Sequence, residues 1–229
     1  VIHAAALSSA GYCQQNPGMS REVNVDASVF LAGLCAERQV PFVFVSTDLV
    51  FDGTCPPYAP ADPVAPLSVY GIQKAEAEGV VLERCPDAVV CRLALIYGAG
   101  SPFSGGFLRG FIHSLVQHEP VHLFSDEFRT PVSARLAADG LLGAINEQGA
   151  LLHFGGPERF SRLEFGRLAA RVLGLDASPI VPCSQHDVQL STPRPKDVSL
   201  QSSFTELPGV TVKSSAEELA AVKDAVRAC

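Results

Sequence analysis

The sequence has no tryptophan, one methionine and only 18% charged residues, and it contains no long apolar run and no basic cluster. A membrane-spanning helix needs about 20 consecutive apolar residues, so we expect no membrane partner. A formal net charge of −7 without a basic patch also argues against a nucleic-acid partner. The opening segment, VIHAAALSS, lacks the charged region of a signal peptide. We therefore expect a cytoplasmic protein.

Disulfides and metals are not expected either. The seven cysteines are odd in number, widely spaced and never arranged as CxxC, which favours free thiols in a reducing compartment. The letters HExxH occur at His118–His122, but Pro120 lies between the two histidines. Proline interrupts the helical face that a zinc site of this type needs. We predict no metal ligands.

Apolar strand-like segments alternate with segments of helical spacing along the chain. Strands are predicted at 1–6, 40–46, 88–96, 121–124 and 151–155. Helices are predicted at 18–38, 67–85, 106–117, 132–147, 161–173 and 214–227. The buried stripe of the first helix is expected to contain Val23, Ala27, Phe30, Leu31 and Leu34.

This alternation predicts an α/β fold, a Rossmann-like doubly wound parallel sheet, with a small C-terminal substrate-binding lobe. From about residue 120 the strands become shorter and the loops richer in proline and serine. We predict a partial dinucleotide-binding domain over residues 1–120. Residues 121–229 are expected to combine the lobe with elements that return to the sheet domain.

The strongest chemical signal is the pair Tyr70 and Lys74 in SVYGIQK. Their spacing of four places both side chains on one face of a helix. An ammonium beside a phenol is expected to lower the tyrosine pKa and to make Tyr70 a proton donor or acceptor near neutral pH. Thr47 follows the buried strand 40–46, and ligands of open α/β sheets bind at the carboxyl ends of strands. Thr47 could there hydrogen-bond a substrate carbonyl.

With these residues in one register, the chain resembles the extended short-chain dehydrogenases, and within them the dTDP-4-dehydrorhamnose reductase branch. The specific part of the resemblance is the string STDLVFDG followed by PLSVYGIQK, and the similarity runs from residue 1 to about 200. It implies an NAD(P)H-dependent reductase of a keto group on a nucleotide-activated sugar. In this scheme Thr47 polarises the carbonyl, Tyr70 is the general acid, and Lys74 binds the nicotinamide ribose and biases Tyr70.

The resemblance also implies further contacts. On the cofactor side, beside Tyr70 and Lys74, it implies Ala4, Ala5, Ala6 and Asn24. On the substrate side, beside Thr47, it implies Asp48, and we add Arg129 and Arg194 as candidates for the diphosphate, because arginine forks suit phosphate oxygens.

Two departures from the family pattern matter. Leu95 stands where the rhamnose-type reductases often carry an aromatic residue, so the sugar is not fixed. The glycine-rich turn that seats the pyrophosphate does not precede Val1, and about 55–65 residues of the pattern are missing, as judged from typical βαβ lengths. We therefore expect a fragment that lacks the first strands of its sheet and binds NAD(P)H negligibly by itself. The choice between NAD and NADP is not readable.

Two other functions stay open. The same scaffold carries nucleotide-sugar epimerases and dehydratases, which need an additional acid or base near the threonine. The regulatory β subunit of methionine adenosyltransferase keeps the fold as a non-catalytic, dinucleotide-binding partner. The sequence does not fix the assembly, for which a homodimer is one option.

Overall fold

A computed structural model describes residues 1–98 and 107–223. Its ten strands in this part of the chain are β1 (Ile2–His3), β2 (Val43–Thr47), β3 (Val89–Leu93), β4 (Ile96–Tyr97), β5 (Val121–Phe124), β6 (Phe128–Arg129), β7 (Val132–Ser133), β8 (Leu151–Phe154), β9 (Phe160–Ser161) and β10 (Ile180–Cys183).

The helices of the same part are α1 (Ala10–Gln15), α2 (Pro17–Arg21), α3 (Ala27–Glu37), α4 (Val69–Arg84), α5 (Phe107–Val116), α6 (Ala134–Gly143), α7 (Arg162–Leu173) and α8 (Ser215–Ala221). A π-helical turn, Glu22–Asp26, joins α2 to α3. Of the predicted last helix, residues 224–227 lie outside the described residues.

A four-stranded parallel sheet in the order β1-β2-β3-β8 forms the centre of the fold. Apolar and β-branched residues on both faces make β2 and β3 continuous buried runs, as parallel strands covered on both sides require. Strand β1 forms one edge of the described sheet and pairs only with β2 there. The predicted α/β fold with a Rossmann-like parallel sheet is confirmed.

Two apolar clusters cover the two faces of this sheet. On one face, Phe44 and Val90 pack against Ala32 of α3 and Ala77 of α4. On the other, strand residues pack against α6 and against Phe204, which stacks on Phe154 with ring centroids 4.8 Å apart. The sheet is therefore wound on both sides.

The predicted buried stripe of the first helix was wrong by about one residue. Phe30 is 65% exposed, whereas Ser28, Ala32 and Cys35 are buried. The π-helical turn before α3 adds a residue to the helical path, so a regular spacing continued from Val23 points to the wrong face. Ser28 tolerates burial because its hydroxyl bonds Asn24 O and the His3 ring, both at 3.0 Å.

A second, smaller lobe has its own core. Helices α5, α7 and α8 pack with the parallel pair β5 and β10 around Phe111, Phe165 and Leu219. Strand β8 returns from this part of the chain to the central sheet. The domain boundary near residue 120 stays a prediction. No helix in the described ranges has the length and apolarity required to cross a membrane.

Candidate active site

Thr47 lies at the carboxyl end of β2, where the chain turns into a short 3-10 segment, Asp48–Val50. Its hydroxyl oxygen accepts a hydrogen bond from Leu49 N at 3.2 Å and its hydroxyl donates to Asp48 Oδ1 at 3.2 Å. Thr47 thus caps the turn and also lines a cavity of about 420 Å³. The turn fixes the position of the hydroxyl at the cavity wall.

Helix α4 places the Tyr70 side chain in the wall of the same cavity. Ser68 begins the helix by accepting a hydrogen bond from Gly71 N at 3.2 Å. A Cβ on Gly71 would come within 2.3 Å of Leu49 O, so glycine is what allows α4 to approach the turn after Thr47. Tyr70 and Thr47 both line the cavity, and Lys74 lies one turn further along α4.

The pKa of Tyr70 is raised above its usual value of 10.0. Burial is the main cause, the charges of Asp48 and Cys13 act in the same direction, and a hydrogen bond with Thr47 acts against them. The expectation that Lys74 lowers this pKa was therefore wrong for the protein without ligands. Burial dominates the pKa of Tyr70, which is therefore a neutral phenol at physiological pH.

Lys74 is buried at 1% exposure, with its Nζ 3.8 Å from the centre of the Phe44 ring. Burial lowers its pKa from 10.5 to about 7, while the Glu78 carboxylate acts in the opposite direction. Glu78 is itself bonded by Arg92, with Nη2 to Oε2 at 2.7 Å, and by Ser46. Within the described part of the chain, the Lys74 amine donates no hydrogen bond.

Two of the three predicted alanines also face the cavity. Ala4 and Ala6 line it directly after β1, and Ala5 is exposed beside them. Small side chains there leave the backbone open to a ligand. A buried amine without a hydrogen-bond acceptor and a strand end without bulky side chains together fit the ribose of a dinucleotide.

Asn24, which the resemblance also assigns to the cofactor side, lies behind the cavity wall. It is fully buried in the π-helical turn. Its Oδ1 accepts from Leu7 N at 2.8 Å, and its Nδ2 donates to Leu7 O and to Gln73 Oε1, both at 3.0 Å. These bonds hold the loop after β1 against α4. In this structure Asn24 positions the cavity wall and does not line the cavity.

The predicted substrate residues form a chain of ion pairs. Arg129 Nη1 lies 3.1 Å from Asp48 Oδ2, and its Nη2 lies 3.5 Å from Glu127 Oε1. Arg194 binds Glu127 with two nitrogens, at 2.7 and 3.0 Å. All four side chains border the 420 Å³ cavity. Arg194 thus donates hydrogen bonds to Glu127, whereas Arg129 Nη1 and Asp48 Oδ2 form an ion pair without a hydrogen bond between them.

Sequence reasoning missed Arg162, the first residue of α7. It borders the 420 Å³ cavity and also a neighbouring cavity of about 240 Å³. Burial lowers its pKa from 12.5 to about 10. In the sequence Arg162 looks like an ordinary residue at the start of a helix, and no local spacing indicates that it lies near Thr47.

The histidines of the HExxH letters do not share a helix. Helix α5 ends at Val116, His118 has a positive φ of 55°, and His122 lies on β5. Over residues 1–98 and 107–223, no group of three His, Cys, Asp or Glu side chains could hold a metal ion. The six described cysteines are free thiols, and Cys229 lies outside the described residues.

The parallel sheet wound on both sides, with a Thr, Tyr and Lys at its carboxyl edge, defines a Rossmann-like protein of the extended short-chain dehydrogenase class. A family model described as "RmlD substrate binding domain" matches residues 1–227. The chain belongs to this family.

The chain is similar in sequence to two kinds of protein, reductases and a methionine adenosyltransferase subunit. The chain is 32% identical over 210 residues to the "Probable low-salt glycan biosynthesis reductase" of Haloferax volcanii, covering 90% of this chain and 70% of that protein. It is 29% identical over 218 residues to the dTDP-4-dehydrorhamnose reductase of Mycobacterium tuberculosis, covering 92% and 71%. It is also 25% identical over 222 residues to methionine adenosyltransferase 2 subunit beta of Danio rerio, covering 94% and 68%.

Solved structures agree on the fold. A dTDP-4-dehydrorhamnose reductase from Clostridium acetobutylicum is 26% identical, with a TM-score of 0.90 over 99% of this chain and 80% of that one. A dTDP-4-dehydrorhamnose reductase from Bacillus anthracis in complex with NADP is 21% identical, with a TM-score of 0.85 over 96% and 78%. At that identity the likeness concerns the fold alone.

Proposed function

We propose that this protein acts as an NAD(P)H-dependent reductase of a keto group on a nucleotide-activated sugar. The observation that carries the proposal is the meeting of Thr47 and Tyr70 in one cavity, with Lys74 one helical turn away. The similarity to two reductases supports it.

Each residue has a defined task. Ala4, Ala6 and Lys74 hold the dinucleotide, which supplies a hydride when it is bound. Thr47 turns its hydroxyl from Asp48 to the substrate carbonyl oxygen. Tyr70 donates its proton to that oxygen, which becomes the hydroxyl of the product. The raised pKa of Tyr70 keeps the proton in place until the carbonyl oxygen becomes basic.

The geometry of Asp48 favours a reductase over an epimerase or dehydratase. Those reactions need an additional acid or base near Thr47. One oxygen of Asp48 accepts from Thr47 and the other is paired with Arg129. Asp48 is thus held by one hydrogen bond and one ion pair, and a reductase makes no further demand on it.

A regulatory role is the second candidate, because the chain is also similar to methionine adenosyltransferase 2 subunit beta. A subunit of that kind needs the fold and not proton transfer. Turnover separates the two functions.

The experiment is oxidation of NADPH or NADH by a dTDP-4-keto sugar, followed by absorbance, with the Tyr70→Phe variant. We expect turnover by the parent and a loss of about 10²-fold or more in the variant, since general acid catalysis contributes that much. Tyr12→Phe, at a 38% exposed tyrosine, is the matched control. Equal turnover by parent and Tyr70→Phe would exclude Tyr70 as the acid, and no turnover by a parent that binds the dinucleotide would favour the regulatory role.

A further inference from the structure

Arg162 lies in the wall between the two cavities of the site. The first cavity contains Thr47 and Tyr70. The second is lined by aromatic side chains, among them Phe107 and Phe124. Arg162 and Arg194 border both cavities. A ligand that filled the two cavities would have to pass these two guanidinium groups.

Arg162 differs from its neighbours in having no carboxylate partner. Asp48 and Glu127 are engaged by Arg129 and Arg194. Three guanidinium groups therefore face two carboxylates, which leaves one positive charge without a counterion. In the described ranges, Arg162 makes no ion pair and its guanidinium donates no hydrogen bond; it stacks on Phe107, with Cζ 3.9 Å from the ring centre.

Arg162 is half-buried, and the donors of its guanidinium are unused within the described residues, so an anion that enters the cavity can complete them. An aromatic ring under the guanidinium holds its plane in place and leaves the donor edges free. The cavity on either side gives an anion access to those edges. Flat, delocalised guanidinium groups match the oxygen pairs of phosphates.

We infer that Arg162 is the specificity-determining residue that binds the diphosphate of the substrate, with the sugar in the first cavity and the nucleobase in the second. The inference rests on the proposed nucleotide-sugar substrate and goes further by assigning its three parts to named positions. Arg194 assists with the nitrogen that Glu127 leaves free. Arg129, with its two carboxylate partners, maintains the wall.

The test is calorimetric titration of the protein with dTDP, thymidine and inorganic pyrophosphate. Binding needs neither a cofactor nor turnover. The parent is expected to bind dTDP more tightly than pyrophosphate, because the base adds stacking in the second cavity. Arg162→Met should weaken dTDP binding roughly 10- to 100-fold, the value of a hydrogen bond to a charged group. Arg162→Lys should recover part of it.

Arg167→Met is the matched control, because Arg167 lies exposed on the same helix. A second variant, Ser114→Phe, fills the aromatic cavity without changing charge. It should weaken dTDP binding and leave pyrophosphate binding unchanged. Circular dichroism and thermal unfolding establish that each variant is folded.

Several results would overturn the inference. Arg162→Met binding dTDP as the parent does would remove the diphosphate assignment. Equal affinity of the parent for dTDP and pyrophosphate would remove the nucleobase from the second cavity, as would an unchanged dTDP affinity of Ser114→Phe. No binding of either anion by the parent would also refute it. A protein that binds dTDP through Arg162 and yet fails to reduce a keto sugar would refute only the proposed reaction.

Discussion

Lys74 offers the sharpest test of the site, because it should destabilise the fold that holds it. The difference between its ordinary pKa of 10.5 and the value of about 7 in the folded protein reflects burial of the amine. At about 1.4 kcal/mol for each pH unit, the charged form is disfavoured in the folded state by up to about 5 kcal/mol. Lys74→Met keeps an unbranched side chain and removes the charge.

The direction in which stability changes with pH depends on which state binds the Lys74 proton. Between about pH 7 and pH 10.5 the unfolded chain holds the Lys74 proton and the folded chain has lost it. Stability should therefore rise with pH across this window. Below about pH 7 both the folded and the unfolded chain carry the proton, and the buried charge destabilises the folded state in full. We expect Lys74→Met to be more stable than the parent at pH 6 by a few kcal/mol, with an advantage that shrinks towards pH 10.

The assay is urea unfolding followed by circular dichroism at pH 6, 8 and 9.5. Lys196→Met, at an exposed lysine, is the control and should give a curve parallel to that of the parent. If the parent and Lys74→Met also give parallel curves, the buried amine is not the source of the pH dependence and its burial has been misjudged. Reductase activity should fall in Lys74→Met even as its stability rises.

Three further changes test the architecture around the cavity. Thr47→Val should reduce keto-sugar turnover about 10²-fold in a steady-state assay, because losing one hydrogen bond to a developing oxyanion usually has that effect. A Val variant with full turnover would show that Thr47 only caps the turn Asp48–Val50. Asn24→Ala leaves the Leu7 N–H without a partner and removes one of the two donors to Leu7 O, the other being the Cys13 thiol, and it should cost about 2–4 kcal/mol in urea unfolding. Asn24→Asp, which can accept but not donate, should lose less, and identical losses would show that the side-chain oxygen, which accepts from Leu7 N, is unimportant. Gly71→Ala should lower the stability of the folded protein by about 1–3 kcal/mol, because the added Cβ clashes with Leu49 O, although alanine normally favours a helix. A gain in thermal stability would show that α4 can move away from Leu49 without cost.

Much of the fold was predictable because it depends on local periodicity. The buried runs at 40–46 and 88–96 became β2 and β3, and the predicted helix at 161–173 became α7 with a Ser161 cap and a Gly174 end. The first helix was predicted less well. Its π-helical turn depends on Asn24, which is bonded to a distant loop, and no spacing rule contains that bond.

For the site, the sequence by itself determined the elements that carry Thr47, Tyr70 and Lys74. A strand end and a helix with a repeat of four place these side chains at one edge of a parallel sheet, whatever else surrounds them. Family membership follows from the same residues.

The tertiary structure alone decided how the charges behave. It paired Arg129 and Arg194 with carboxylates, left Arg162 between two cavities, and buried Tyr70 and Lys74 deeply enough to move their pKa values in directions opposite to a simple phenolate–ammonium pair. The physical reason is that desolvation and ion pairing depend on every group that packs around a side chain. Those groups come from segments far apart in the chain, so their effect exists only after folding.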